Sequence, residues 1–131
     1  MVKGIGIDIV SIRRMARRLA SPTTGPAFLT HTFTQAERDA APGRAGLQAA
    51  YYAARFAGKE AVYKAVAHLL PQHAFDMRIV ETLNAADGCP YVSRTAALDK
   101  LLKDAGVAGL EISISTEGDN AVAMVVAESG R

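Results

Sequence analysis

Between Val2 and Val10 the chain alternates, with Ile5, Ile7 and Ile9 on one side and Gly4, Gly6 and Asp8 on the other. This is the period-two pattern of a strand, and its glycine side has room for another element to approach closely. At Ser11 the period becomes helical. Ser11 is an N-cap candidate, Ile12, Met15, Ala16 and Leu19 form one stripe, and Arg13, Arg14, Arg17 and Arg18 crowd the opposite arc. The segment from Ser21 to Pro26 breaks that helix. Thr34 followed by Glu37 has the spacing of a capping box and predicts a short helix ended by Pro42 and Gly43. From Leu47 to Leu70 there is no internal proline and much alanine, which predicts a long helix, apolar around most of its circumference and largely buried.

Beyond Pro71, Phe75, Met77 and Ile79 alternate with Asp76, Arg78 and Val80, which reads as a strand. The stretch from Asn84 to Gly88 reads as a turn and Pro90 to Val92 as a second strand. Ser93 is a candidate cap for a helix with Leu98, Leu101, Leu102 and Ala105 on one side and Gly106 as its terminator. Leu110, Ile112 and Ile114 then alternate with Glu111, Ser113 and Ser115, and the polar turn from Thr116 to Asn120 leads into Ala121 to Ala127, predicting a hairpin. Strands and helices do not alternate as in a doubly wound sheet. The expected class is α+β, a single domain over residues 1–131 with the long buried helix packed on an antiparallel sheet.

Composition narrows the function classes. With 131 residues, 50% of them hydrophobic, the chain suits one core. A formal net charge of only +2 gives no global pull toward nucleic acid, so any basic function must be local. A single cysteine, Cys89, excludes an internal disulfide and disfavours a cysteine-based zinc site. No stretch approaches the roughly 18 apolar residues of a membrane span, so neither nucleic acid nor membrane is an expected partner and the expectation is a soluble cytoplasmic protein.

The long helix carries the chemical anomaly. Tyr52, Phe56, Tyr63 and Leu70 mark an apolar stripe, yet the positions three and four after Phe56 hold Lys59 and Glu60, with Lys64 one turn further. Glu60 and Lys64 could be an ordinary i, i+4 ion pair. Asp8 stands on the glycine side of an apolar strand, where an acid needs a cation or a metal. Asp8 and Glu60 together would suit a hard divalent ion that keeps positions for water and phosphate, as magnesium does. The alternative is Asp8 paired with Lys59 or Lys64, and spacing leaves both open.

The run Gly4-Ile-Gly6-Ile-Asp8-Ile-Val, the run from Arg55 through Phe56, Gly58, Lys59, Glu60, Val62 and Tyr63 to Lys64 and Ala65, and the late Ser113-Ile-Ser115 together resemble the holo-acyl-carrier-protein synthases, a family of 4′-phosphopantetheinyl transferases. Weaker matches fall in order between them: Phe33-Thr34 with Glu37, Gly88-Cys89-Pro90-Tyr91, and the helix ending at Gly106. The resemblance implies transfer of the phosphopantetheine arm of coenzyme A to a serine of an acyl carrier protein, with release of adenosine 3′,5′-bisphosphate. It implies Mg2+ held by Asp8 and Glu60, and Lys64 at the coenzyme A pyrophosphate. By the same resemblance Lys59 and Arg55 are expected to contact phosphate or support the site, and Gly88, Pro90, Ser115 and Thr116 to border coenzyme A. The implied general base is a metal-bound water, Glu60 or Glu117.

One position departs from the family pattern. Where the family commonly carries a histidine after the residue matching Ser115, this chain has Thr116, which can donate a hydrogen bond but cannot relay a proton near neutral pH. His31, His68 and His73 do not match that position and are expected at the surface or at helix ends. The arginine arc at Arg13, Arg14, Arg17 and Arg18 reads either as a solvated face or, as the resemblance implies, as a docking surface for an acidic carrier protein. The resemblance further implies a homotrimer with sites between subunits. Two other classes compete: a noncatalytic carrier-binding homologue, suggested by Thr116, and a small nucleic-acid binder using the arginines, which lack aromatic interleaving.

Overall fold

Residues 1–71 and 75–130 are described by a computed structural model. Strand β1 (Val2–Ser11) runs directly into helix α1 (Ile12–Ala20), because the Ser11 hydroxyl accepts the Arg14 amide at 3.1 Å and starts the helix. Helix α2 (Gly25–Thr32) follows where the sequence pattern shows only a break, with Pro26 in its first turn, where a missing N–H is harmless. Thr34 and Glu37 form the expected capping box at the start of α3 (Gln35–Asp39). Helix α4 (Ala45–Val66) runs on into a 3-10 turn at Ala67–Leu69, close to the expected span.

Two expectations in the second half are corrected. The alternation from Phe75 to Val80 is not a strand: the Asp76 carboxylate accepts the Arg78 amide at 2.8 Å and starts a 3-10 turn at Met77–Ile79. The strand lies just beyond, β2 (Glu81–Asn84), paired antiparallel with β3 (Pro90–Ser93). Helix α5 (Ala96–Asp104) is capped by Thr95 rather than Ser93, with the Thr95 hydroxyl accepting the Leu98 amide at 3.2 Å. Strands β4 (Gly109–Glu117) and β5 (Asn120–Glu128) form the predicted hairpin, closed by Gly118 and Asp119. His73 lies outside the described residues.

The main sheet has the order β1-β5-β4, all antiparallel, and α4 crosses its inner face. The glycines of β1 make this crossing possible. A Cβ on Gly4 would lie 1.8 Å from the Ala65 carbonyl oxygen, and one on Gly6 would lie 1.9 Å from that of Ala61. Only residues without a side chain let strand and helix backbones touch. Ala121, Ala123, Val125 and Ala127 of β5 line the same inner face and are fully buried, continuing into a core with Ala61, Val62, Ala65, Val66, Leu98 and Leu102. A second cluster, built on Phe33, Tyr52 and Met15, fills the space under α1 and α2. The isoleucines of β1 therefore face outward: Ile5, Ile7 and Ile9 keep 63%, 58% and 62% of their surface exposed. The long helix on an antiparallel sheet is the α+β arrangement that the pattern predicts.

Candidate active site

The close approach of β1 to α4 decides what Asp8 meets. Asp8 lies two residues beyond Gly6 on the same face of the strand, and one turn of α4 separates Ala61 from Ala65 beneath it. Lys64 reaches back across the strand, donating to Asp8 Oδ1 at 2.9 Å and to the Ile7 carbonyl at 3.1 Å. Glu60 stands one turn earlier. Asp8 and Glu60 open onto one cavity of about 410 Å³, bordered also by Phe56, Met15, Arg14 and Arg18. Partial burial raises the Glu60 carboxyl above its ordinary value, the negative charge of Asp8 raises it further, and Lys64 only partly offsets this. The Asp8 carboxylate is thus held close enough to oppose ionisation of Glu60. Among the described residues none donates a hydrogen bond to Glu60, so its oxygens remain available to a cation.

Lys59, the neighbour of Glu60, points elsewhere. It is fully buried, 2.7 Å from the equally buried Glu37, and its remaining donors go to the carbonyls of Met77, at 2.9 Å, and of Val80. Burial pushes the ammonium down from its usual value and Glu37 pulls it part of the way back. Glu37 is itself saturated, accepting the Thr34 amide at 2.9 Å and the Thr82 amide at 3.1 Å. Lys59 therefore ties α4 to α3 and to the entrance of β2 and does not reach the cavity. Local spacing offers no sign of this pairing, because the capping box already accounts for Glu37.

Arg55 lies one turn before Lys59 on the same side of α4. Its guanidinium stacks on Tyr51 at 4.7 Å and donates to Asn84 Oδ1 at 2.9 Å. It is 6% exposed, its Nε has no partner, and among the described residues no carboxylate pairs with it. A buried guanidinium without a counter-ion suits an anionic ligand. Asn84 opens the β2–β3 turn, which brings Gly88, at a φ of 90°, and Pro90 to the same end of the molecule.

The four arginines of α1 separate into two pairs. Arg14 and Arg18 border the cavity, and the Arg18 guanidinium lies 4.4 Å from the centre of the Phe28 ring. Arg13 and Arg17 lie toward the β4–β5 turn, where they act on the charge of Asp119. Ser115 and Thr116 are exposed on β4. Asp8, Ala123 and Ile114 occupy one row across the sheet, and Val10, Ala121 and Thr116 the row two residues further on, on the same face. Two strand spacings, about 10 Å, hold Thr116 away from Asp8 of its own chain. His31 and His68 are exposed, and His68 Nε2 lies 3.1 Å from the Lys3 carbonyl oxygen.

Comparison with known proteins decides what this constellation belongs to. The model of the 4′-phosphopantetheinyl transferase superfamily matches residues 4–125, and the holo-[acyl-carrier-protein] synthase of Desulforudis audaxviator is 42% identical over 97% of this chain and 93% of its own length. The chain belongs to the holo-[acyl-carrier-protein] synthase family. Solved structures of the family share its fold. The synthase of Neisseria meningitidis superimposes with a TM-score of 0.85 at 35% identity, covering 98% of this chain and all of that one. The synthase of Bacillus anthracis, solved in complex with coenzyme A (3′,5′-ADP), superimposes with a TM-score of 0.76 at 29% identity over 99% of both chains.

Proposed function

We propose that the protein transfers the 4′-phosphopantetheine group of coenzyme A to a serine of an apo acyl carrier protein and releases adenosine 3′,5′-bisphosphate. The observation that carries this reading is the pair of carboxylates, Asp8 from β1 and Glu60 from α4, sharing one cavity in a chain that matches synthases over nearly its whole length. The two acids fit a magnesium ion: both offer oxygen ligands, among the described residues none donates a hydrogen bond to Glu60, and burial together with the charge of Asp8 raises the Glu60 carboxyl, a cost that a cation would relieve. When bound, the metal neutralises negative charge on the phosphate oxygens and the leaving group.

The chain's own groups supply the rest. Lys64 holds the Asp8 carboxylate in place and adds a half-exposed positive charge for the pyrophosphate. Arg55, with an unpaired nitrogen beside the β2–β3 turn, supplies an anchor for a more distant phosphate of coenzyme A. Lys59 supports the site by fixing α4. In the reaction a carrier serine oxygen bonds to phosphorus, the bond from that phosphorus to the bridging oxygen breaks, and the bisphosphate leaves with the electron pair. Glu60, which borders the cavity and whose affinity for a proton is raised by burial and by Asp8, is the acceptor we assign to the serine proton. Thr116 cannot serve in that role and is a contact to coenzyme A.

The site draws on parts that one chain keeps apart: Ser115 and Thr116 lie across the sheet from Asp8, and the outer sheet face is apolar and exposed. A homotrimer in which the hairpin of one copy completes the site of the next accounts for both. The exposed, unpaired Cys89 suits a cytoplasmic setting.

The test is direct. Protein incubated with coenzyme A, magnesium and an apo carrier protein should add the mass of one phosphopantetheine to the carrier. Asp8→Ala and Glu60→Ala should each lower the rate by at least about a hundredfold while circular dichroism stays unchanged. Full activity in either variant removes the assignment of that carboxylate.

A further inference from the structure

The β4–β5 turn grips the start of α1 more closely than hairpin formation requires. The Asp119 backbone carbonyl accepts the Ile12 amide at 2.8 Å, Oδ1 accepts the Arg13 amide at 2.7 Å, and Oδ2 accepts the Ser11 hydroxyl at 2.7 Å. Three consecutive residues at the head of the helix are thus held by one residue more than a hundred positions away. Helix α1 needs this support. It has nine residues, too few to persist alone, its first amides are without intrahelical partners, and its first turn carries no acidic side chain. Asp119 supplies both the acceptors and the negative charge that a helix start favours. Its charge also lies within electrostatic reach of Arg13 and Arg17. Because Ser11 faces Asn120 in the β1–β5 ladder, the helix leaves the sheet at the hairpin turn, and the angle of departure is set there.

We propose that Asp119 is a positioning residue that fixes the orientation in which α1 presents its arginines to the carrier protein. This rests on the reading of α1 as the docking helix. Asp119 does not itself border the cavity and reaches it only through Ser11, whose hydroxyl it accepts, so any effect on coenzyme A is indirect while its hold on the start of α1 is direct.

Steady-state transfer assays on Asp119→Ala, Asp119→Asn and Arg14→Glu, varying carrier and coenzyme A separately, test the proposal. Asp119→Ala should raise the carrier KM about fivefold, in keeping with a lost helix cap, and leave the coenzyme A KM within about twofold of the parent. Asp119→Asn, which keeps one oxygen acceptor, should recover part of the loss. If Arg14→Glu raises the carrier KM while Asp119→Ala leaves it unchanged, α1 docks the carrier but Asp119 does not position it, and the proposal is overturned. If Arg14→Glu also leaves it unchanged, the docking role falls and the proposal falls with it. Parallel rises in both KM values together with a lowered Tm in both Asp119 variants would mark a general structural role and overturn it as well.

Discussion

At Glu60, function and stability pull against each other. Its carboxyl is raised above the ordinary value of 4.5 by burial first and by Asp8 second. A carboxyl that holds its proton more tightly in the fold than in the open chain contributes stability below the unfolded pKa, and this is lost as the pH rises through the folded one. At neutral pH the ionised side chain is therefore a cost. Glu60→Gln removes the charge, so without divalent cations the variant should be more stable than the parent at pH 7. The gain should be on the order of 0.5 kcal/mol, because solvent screens this partly exposed group. It should vanish below about pH 4, where the parent carboxyl is protonated as well. Urea midpoints measured across that range check the sign, and a less stable variant at pH 7 would contradict it. Magnesium should raise the midpoint of the parent and leave that of Glu60→Gln in place.

The elements show how neighbouring residues acquire unrelated tasks. Successive side chains on a helix diverge by about 100°, so Lys59 and Glu60 face different layers: Lys59 the α3 and β2 side, Glu60 the β1 side. Breaking the buried pair leaves a charge without a partner, so Lys59→Met should cost about 3–5 kcal/mol in chemical denaturation. Adding Glu37→Gln removes the orphaned charge and should return roughly half of that loss; the rest persists because the Met77 and Val80 carbonyls still lack their donor. A Lys59→Met protein as stable as the parent would show that the pair contributes nothing in solution. What was legible beforehand follows from the same geometry. Short-range signals held at Ser11, at Thr34 with Glu37 and at Gly106, whose partners lie within one turn. The strand expected from Phe75 to Val80 failed because Asp76 competes locally for the backbone, a contest that alternation alone does not reveal. Spacing left Asp8 open between an ion pair and a shared cation; the structure shows the pair with Lys64 and also sets Asp8 and Glu60 on one cavity, a placement that only the family resemblance favoured. The partner of Lys59 was not anticipated, since that contact joins residues on different elements through the core.

A monomer of this fold leaves its sheet half-covered. The inner face packs on α4, whereas the outer face shows Ile5, Ile7 and Ile9 of β1 beside Met124, which is 44% exposed, and the partly buried Val122 and Val126 of β5, with Glu111, Ser113 and Ser115 as a polar border on β4. An apolar strip with a polar rim is what a subunit interface looks like before assembly. Ile7 lies opposite Met124 near the middle of the strip, and its side chain points away from α4, so a change there leaves Asp8 and Glu60 in place. Ile7→Glu should therefore uncouple assembly from folding. Each buried isoleucine is worth about 1.5–3 kcal/mol, and symmetry repeats the loss at every copy of the interface. If the proposed trimer forms, light scattering should find it in the parent and single chains in Ile7→Glu, circular dichroism should be unchanged, and transfer should fall because no neighbouring hairpin completes the site. An Ile7→Glu protein that is monomeric yet fully active would show that one chain holds the whole site, and the hairpin would then have no part in a neighbour's chemistry.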